Sequence, residues 1–202
     1  MSSDPQDITT FKDNLYFTAV SFGGRQVWKS NGSQGGTNKI SPISSQQIFS
    51  DVEELTATPD RLFYTAQTSI QSDDETDDDN QSNDSTTDED TAANADTDVS
   101  AARRSIGREL WTSKGSADSM KLVLDIYEGP GSSDPTELTA IGNKIYFSAD
   151  DGANGEELWV SDGTDFGTQR LTDINPGAKN ASPRDITALD DSITFTAINE
   201  KT

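Results

Sequence analysis

The sequence predicts an all-β chain: a partial β-propeller of four-stranded antiparallel blades, three blades plus half of a fourth, one of them carrying a disordered acidic insertion. Three observations predict it. An apolar segment of one type occurs four times, as LYFTA at residues 15–19, LFYTA at 62–66, IYFSA at 145–149 and ITFTA at 193–197. The three tryptophans, Trp28, Trp111 and Trp159, close the related segments GRQVW, GRELW and GEELW. The joints between segments are rich in Gly, Asn and Asp, including Asn31-Gly32 and Asp162-Gly163, and such pairs supply the positive φ that tight hairpin turns need.

The spacing sets the unit. Phe17 to Tyr64 is 47 residues and Phe147 to Phe195 is 48, as is Trp111 to Trp159; Tyr64 to Phe147 and Trp28 to Trp111 are both 83. The long interval is thus one unit plus 35 residues. Four strands of about 5–6 residues and four loops of about 4–6 add up to that pitch. In the first unit they are expected at residues 7–11, 14–20, 25–30 and 38–43. Each first strand starts with an acid and a threonine-ended triplet: DIT at 7–9, ELT at 54–56, ELT at 137–139 and DIT at 185–187. The second strand is apolar almost throughout, the pattern of a strand covered on both faces, so sheets are expected to stack on either side of it. Repeated four-stranded sheets stacked in this way are propeller blades. The blades are read as 1–50, 51–133, 134–182 and a half blade at 183–202, and the three indoles as packing between blades.

Charge marks the insertion. The 202 residues hold 36 Asp and Glu against 15 Lys and Arg, a net charge of −21, and 12 of the acids fall within residues 72–99, which contain no basic or aromatic residue. That run has too little apolar surface to offset the entropy of ordering it, and is expected to be disordered. It lies between the second and third strands of the second unit, so the insertion of about residues 70–104 interrupts a hairpin. Without the run, 24 acids face 15 bases. An acidic chain is a poor partner for nucleic acid, whose binding rests on Lys and Arg. With no Cys and no His, disulfides, thiolate chemistry and every His-based triad or zinc cluster are excluded. No apolar run approaches the ~20 residues of a membrane helix, and the start lacks the basic and apolar regions of a signal peptide.

The third unit reads GEELWVSDGTDFGTQRLTDINPGAKNASP over residues 155–183. It resembles the ELWxxDGT repeat family, predicted propeller-type repeats of bacterial surface and secreted proteins. The match is full at Glu157, Leu158, Trp159, Asp162, Gly163, Thr164, Gly167 and Thr168; the second unit has Lys114-Gly115-Ser116 and the first Asn31-Gly32-Ser33 in place of DGT. The resemblance implies a cell-surface or extracellular location and no catalytic residue. The chain opens on an SSDP joint that recurs at 132–135 and stops after the second strand of a fourth unit. Three and a half blades fall short of the ~4–8 that close a ring. Further blades from the same array or another chain are therefore expected, and the chain is read as a fragment of a larger repeat protein.

Asp150, Asp151, Asn154 and Glu156 form the densest local set of oxygen ligands and are the candidates for a metal. They lack the D-x-[DN]-x-[DN]-G alternation of a Ca²⁺ loop, and a polar turn is the competing reading. Asp162 is expected to cap its own turn. No cofactor is implied, Ca²⁺ apart. The function expected is a non-catalytic binding or structural module contacting a protein or glycan, with a propeller hydrolase using loop carboxylates, or a Ca²⁺-stabilised adhesin-like module, as the alternatives.

Overall fold

A computed structural model describes residues 3–21, 24–41, 47–70, 106–190 and 192–200. These are all-β, in four antiparallel sheets. The first holds β1 (Gln6–Phe11), β2 (Asn14–Ser21), β3 (Gly24–Ser30) and β4 (Thr37–Lys39); the second β5 (Gln47–Ala57), β6 (Leu62–Ile70), β7 (Ile106–Ser113) and β8 (Lys121–Leu124). The third holds β9 (Thr136–Ile141), β10 (Lys144–Asp150), β11 (Glu156–Ser161) and β12 (Gln169–Arg170), and the fourth β13 (Arg184–Leu189) and β14 (Ser192–Thr196). Strands follow each other across every sheet in chain order. No helix among the described residues is long and apolar enough to cross a membrane.

The register repeats with the sequence. Phe17 stands opposite Trp28, Tyr64 opposite Trp111 and Phe147 opposite Trp159. Residues 71–105, which include the acidic run, lie outside the described residues. On either side of them β6 and β7 pair from Leu62↔Ser113 to Thr68↔Ile106, so the insertion does interrupt one hairpin of the second sheet. The fourth strands are shorter than expected, and a hydroxyl explains it. The Val27 N–H donates to Ser41 Oγ at 2.8 Å and the Leu158 N–H to Thr172 Oγ1 at 3.1 Å. A side chain thus takes the place of a ladder carbonyl, and the chain turns away from the sheet.

Consecutive sheets pack face to face. Phe11, Tyr16 and Val27 on the back of the first sheet meet Leu55, Leu62, Tyr64, Ala66 and Trp111 on the front of the second. Phe63, Leu110, Val123 and Ile126 on the back of the second meet Leu138, Ile145, Phe147, Ala149 and Trp159 on the front of the third. The five residues 62–66 are all buried because alternate side chains enter two different cores. The first strands of neighbouring sheets also adjoin, β1 beside β5, β5 beside β9 and β9 beside β13.

Two interior glycines sit where stacking is tightest. A Cβ on Gly115 (φ +94°) would stand 2.5 Å from the Oη of Tyr16, which donates to the Gly115 carbonyl at 3.1 Å. On Gly163 (φ +83°) it would stand 2.7 Å from Arg61 Cδ and 3.2 Å from Phe63, the residue one repeat after Tyr16. The third-strand turn of each following sheet therefore rests on an aromatic ring of the sheet before it.

Trp111 and Trp159 are buried between sheets, whereas Trp28 is half-buried, on a front face that no described residue covers. Trp111→Ala is expected to cost about 3–5 kcal/mol and Trp28→Ala about 1 kcal/mol, measured by urea unfolding. Replacing residues 71–105 by an Asn-Gly turn is expected to leave the melting temperature within a few degrees, because β6 and β7 pair directly from Leu62↔Ser113 to Thr68↔Ile106; a calorimetric scan checks this.

Candidate functional site

Two strained backbone positions recur in each unit, the first held by an acid in three of the four and the second by an acid in all four. Asp4, Asp51, Asp134 and Ser182 have φ of 41°, 52°, 43° and 46°, and three residues later Asp7, Glu54, Glu137 and Asp185 have φ of 47°, 59°, 62° and 54°. A non-glycine residue in this region costs of order 1–3 kcal/mol. The second position is a β-bulge: the ladder between first and second strand skips there in all four sheets. A bulge leaves backbone groups without ladder partners, and the neighbouring sheet supplies them. The Leu138 N–H donates to Glu54 Oε2 at 3.1 Å, and Thr56 Oγ1 donates to the Leu138 carbonyl at 3.3 Å. One repeat on, Thr139 Oγ1 donates to the Ile186 carbonyl at 2.7 Å. The ELT triplet of β5 thus holds both backbone groups of the residue that follows the bulge in β9.

Where the first strands adjoin, these carboxylates share one field. Burial raises the Glu54 carboxyl above its ordinary range; the Leu138 N–H opposes this, while Asp7, Glu137 and Glu53 add negative charge that raises it further. Asp7 and Asp185 are steadied within their own sheets, each accepting from a second-strand threonine, Thr18 at 3.0 Å and Thr196 at 3.1 Å. Such a row draws cations and hydrogen-bond donors. The repeated triplets were visible in the sequence, but nothing in Asp or Glu announces positive φ. The recurrence of an acid at one phase of the repeat was the only available signal.

The signature residues have other partners. Glu157 is fully buried and accepts from Thr172 Oγ1 at 2.6 Å, the Ile174 N–H at 2.9 Å and the Asn175 N–H at 3.2 Å. Glu109, also fully buried, accepts from the amides of Ile126, Tyr127 and Ser133 and from Ser133 Oγ at 2.5 Å. Each carboxylate holds the loop that leads to the next sheet, and Gln26 is buried at the equivalent place in the first. Trp159 Nε1 donates to the Ala149 carbonyl at 3.0 Å. Asp162 Oδ1 accepts from the Thr164 amide at 2.9 Å and hydroxyl at 2.6 Å; the hydroxyl contact first, then the amide and the Arg61 charge, hold its carboxyl below the usual range. Thr168 Oγ1 pairs with Ser161 Oγ at 2.8 Å, and Ser161 Oγ accepts the Gly163 N–H at 2.9 Å.

Of the four metal candidates Asp150 closes β10, Glu156 opens β11 and Asp151 and Asn154 lie in the loop between them, and the three carboxylates accept hydrogen bonds from that loop, from β10 and from Ser182. Asp150 Oδ1 accepts the Gly152 N–H. Asp151 takes the Ala153 and Asn154 amides and the Asn154 side chain; burial pushes its carboxyl up, but these donors outweigh it and hold it low. Glu156 accepts from Ser148 and Ser182 hydroxyls at 2.8 Å each. Among the described residues no group of three or more acidic side chains is arranged to hold a metal ion. Comparison of the chain with protein-family models, with curated proteins and with solved structures returns no match.

Burial pushes Glu109 up to about 7, with its Ser133, Ile126 and Tyr127 donors pulling the other way. The folded chain then holds this proton more tightly than an unfolded one, whose carboxyl titrates near 4.5. Its contribution to stability is full below about pH 4.5 and is lost as pH rises to about 7. The difference in unfolding free energy between the native chain and Glu109→Gln is therefore expected to fall across that window, by up to about 3 kcal/mol, in urea titrations at a series of pH values.

Proposed function

We infer that the chain is a non-catalytic repeat module of the ELWxxDGT kind, its sheets stacked as propeller blades, that presents its loops to a protein or glycan at a cell surface or outside the cell. The observation that carries this reading is the way the signature is used. Glu157, Trp159, Asp162 and Thr168 each spend their polar atoms on their own sheet or on the loop to the next one. A motif consumed by architecture leaves no group free for bond-making chemistry, and repeats it for a scaffold's sake. The regular face-to-face packing and the adjoining first strands support the blade arrangement. Extracellular placement follows from the family resemblance alone.

Variation between units supports loops as the binding elements. Between the second and third strands the sequence of the first unit has only Phe22-Gly23, that of the third residues 151–155, and that of the second the insertion of about residues 70–104. The tryptophan and the apolar second strand recur in all three complete units while this edge changes from unit to unit, as in folds that carry recognition on loops.

A glycan microarray followed by titration calorimetry tests the assignment. Asp162→Asn is expected to lower the melting temperature while leaving affinity within about twofold, and Asp151→Ala at the variable edge is expected to weaken binding about tenfold or more. Hydrolysis of nitrophenyl glycosides or esters that disappears with Asp162→Asn would overturn the non-catalytic reading.

A further inference from the structure

The sequence contains two Asn-Gly pairs, Asn31-Gly32 and Asn154-Gly155, and the fold holds them differently. In such a pair no side chain on the glycine hinders its backbone nitrogen from closing on the side-chain carbonyl carbon of the asparagine. Whether it closes then depends on what surrounds that carbonyl.

Asn31 is exposed in the turn that follows β3, and its carbonyl is held as an electrophile. Oδ1 accepts the Ser33 N–H at 3.1 Å and the Ser33 hydroxyl at 2.8 Å, two donors placed where attack would develop negative charge. The Gly32 N–H donates to Ser30 Oγ at 3.1 Å, and Ser30 Oγ pairs with Thr37 Oγ1 at 2.7 Å. The proton of the attacking nitrogen thus has a hydroxyl to leave through.

Asn154 is placed against the same reaction. It is half-buried, and its Nδ2, the group that would depart, donates to Asp151 Oδ2 at 2.8 Å. Its backbone N–H is fixed on Asp151 Oδ1 at 2.7 Å, and no donor among the described residues reaches its Oδ1. Gly155 is buried against the joint to the fourth sheet, where a Cβ would stand 2.5 Å from the Lys179 carbonyl oxygen. Asp162-Gly163 has the two donors of the Asn31 turn, but the Thr164 hydroxyl and amide keep the Asp162 carboxyl ionised, and a carboxylate resists attack.

We propose that Asn31 is a site of spontaneous deamidation and that Asn154 is not. The Gly32 nitrogen bonds to Asn31 Cγ, its proton is passed by Ser30 Oγ and water to Nδ2, and the Cγ–Nδ2 bond breaks to release ammonia. A cyclic imide remains, and water opens it at either carbonyl. Opening at Cγ leaves an aspartate, which reproduces the turn that Asp162 makes in the third sheet and adds one negative charge. Opening at the backbone carbonyl leaves isoaspartate, which lengthens the main chain inside the loop that the Asn31 N–H closes on the Gly36 carbonyl at 3.3 Å. That product loosens the pairing of β3 with β4, whose last rung is Ser30↔Thr37.

Tryptic mass spectrometry of the full chain, held at mildly alkaline pH in buffer and in urea, tests this through peptides 30–39 and 145–170. Electron-transfer fragmentation locates the exchange of NH₂ for OH and separates aspartate from isoaspartate. In urea both asparagines are expected to convert at similar rates. In buffer Asn31 is expected to keep that rate, while Asn154 slows about tenfold or more because its loop must open first. Ser33→Ala, at an exposed position, is expected to leave the circular dichroism melt unchanged and to slow Asn31 about tenfold in buffer, since one donor to the developing oxyanion is lost. A native chain in which Asn31 stays intact while urea converts it overturns the proposal. So does one in which Asn154 converts as fast as Asn31, or a Ser33→Ala chain that deamidates at the native rate.

Discussion

Leu62, Phe63, Tyr64, Thr65 and Ala66 are successive residues of one strand, and water reaches none of them. An antiparallel sheet with one wet face would expose every second residue. Here the odd and even side chains enter separate cores, one shared with the sheet before and one with the sheet after. A sheet that is apolar on both faces needs cover on each, so each unit's stability is a property of its neighbours as much as of itself. The placing of glycines beneath aromatic rings, the spacing of tryptophans and the grip of first strand on first strand all serve that contact.

The repeat also shows how one geometry survives changes of residue. In the third sheet Ser161 Oγ joins Thr168 Oγ1, and in the first Ser30 Oγ joins Thr37 Oγ1 at 2.7 Å. The second sheet lacks the threonine, yet Ser113 Oγ meets Ser119 Oγ at 2.9 Å and the Gly115 N–H still donates to Ser113 Oγ at 3.0 Å. A hydroxyl at the right place is the requirement, and a serine one position off the motif meets it. The capping side chain varies likewise: Asn31 Oδ1 accepts from the Ser33 amide at 3.1 Å as Asp162 does from Thr164. With Lys114 at that position no such acceptor exists, and the turn relies on its serines.

Strand identity, unit length and the site of the insertion were legible because they are carried by side-chain type at fixed spacing. Apolar runs and Trp phase are readable without coordinates, and the pairings of Phe17, Tyr64 and Phe147 with the tryptophans follow them. The bulges were not legible. Asp7 and Glu54 look like ordinary polar residues at the head of a strand, and their positive φ goes with bonds that exist only in the fold, Asp7 to Thr18 of its own sheet and Glu54 to the Leu138 N–H of the next. The loads on Glu109 and Glu157 were hidden for a related reason: a charged residue beside a Trp reads as solvent-facing, and its donors come from 15 to 24 residues farther along the chain.

Strain and burial meet in the first strands. Holding Glu54 in the left-handed region and partly out of water costs free energy, and the like charges of Asp7 and Glu137 add to it. The offset is the pair of bonds through which Glu54 and Thr56 satisfy Leu138 N–H and C=O. An unsatisfied buried amide costs about 1–3 kcal/mol, comparable to the strain itself, so neither feature is stable without the other.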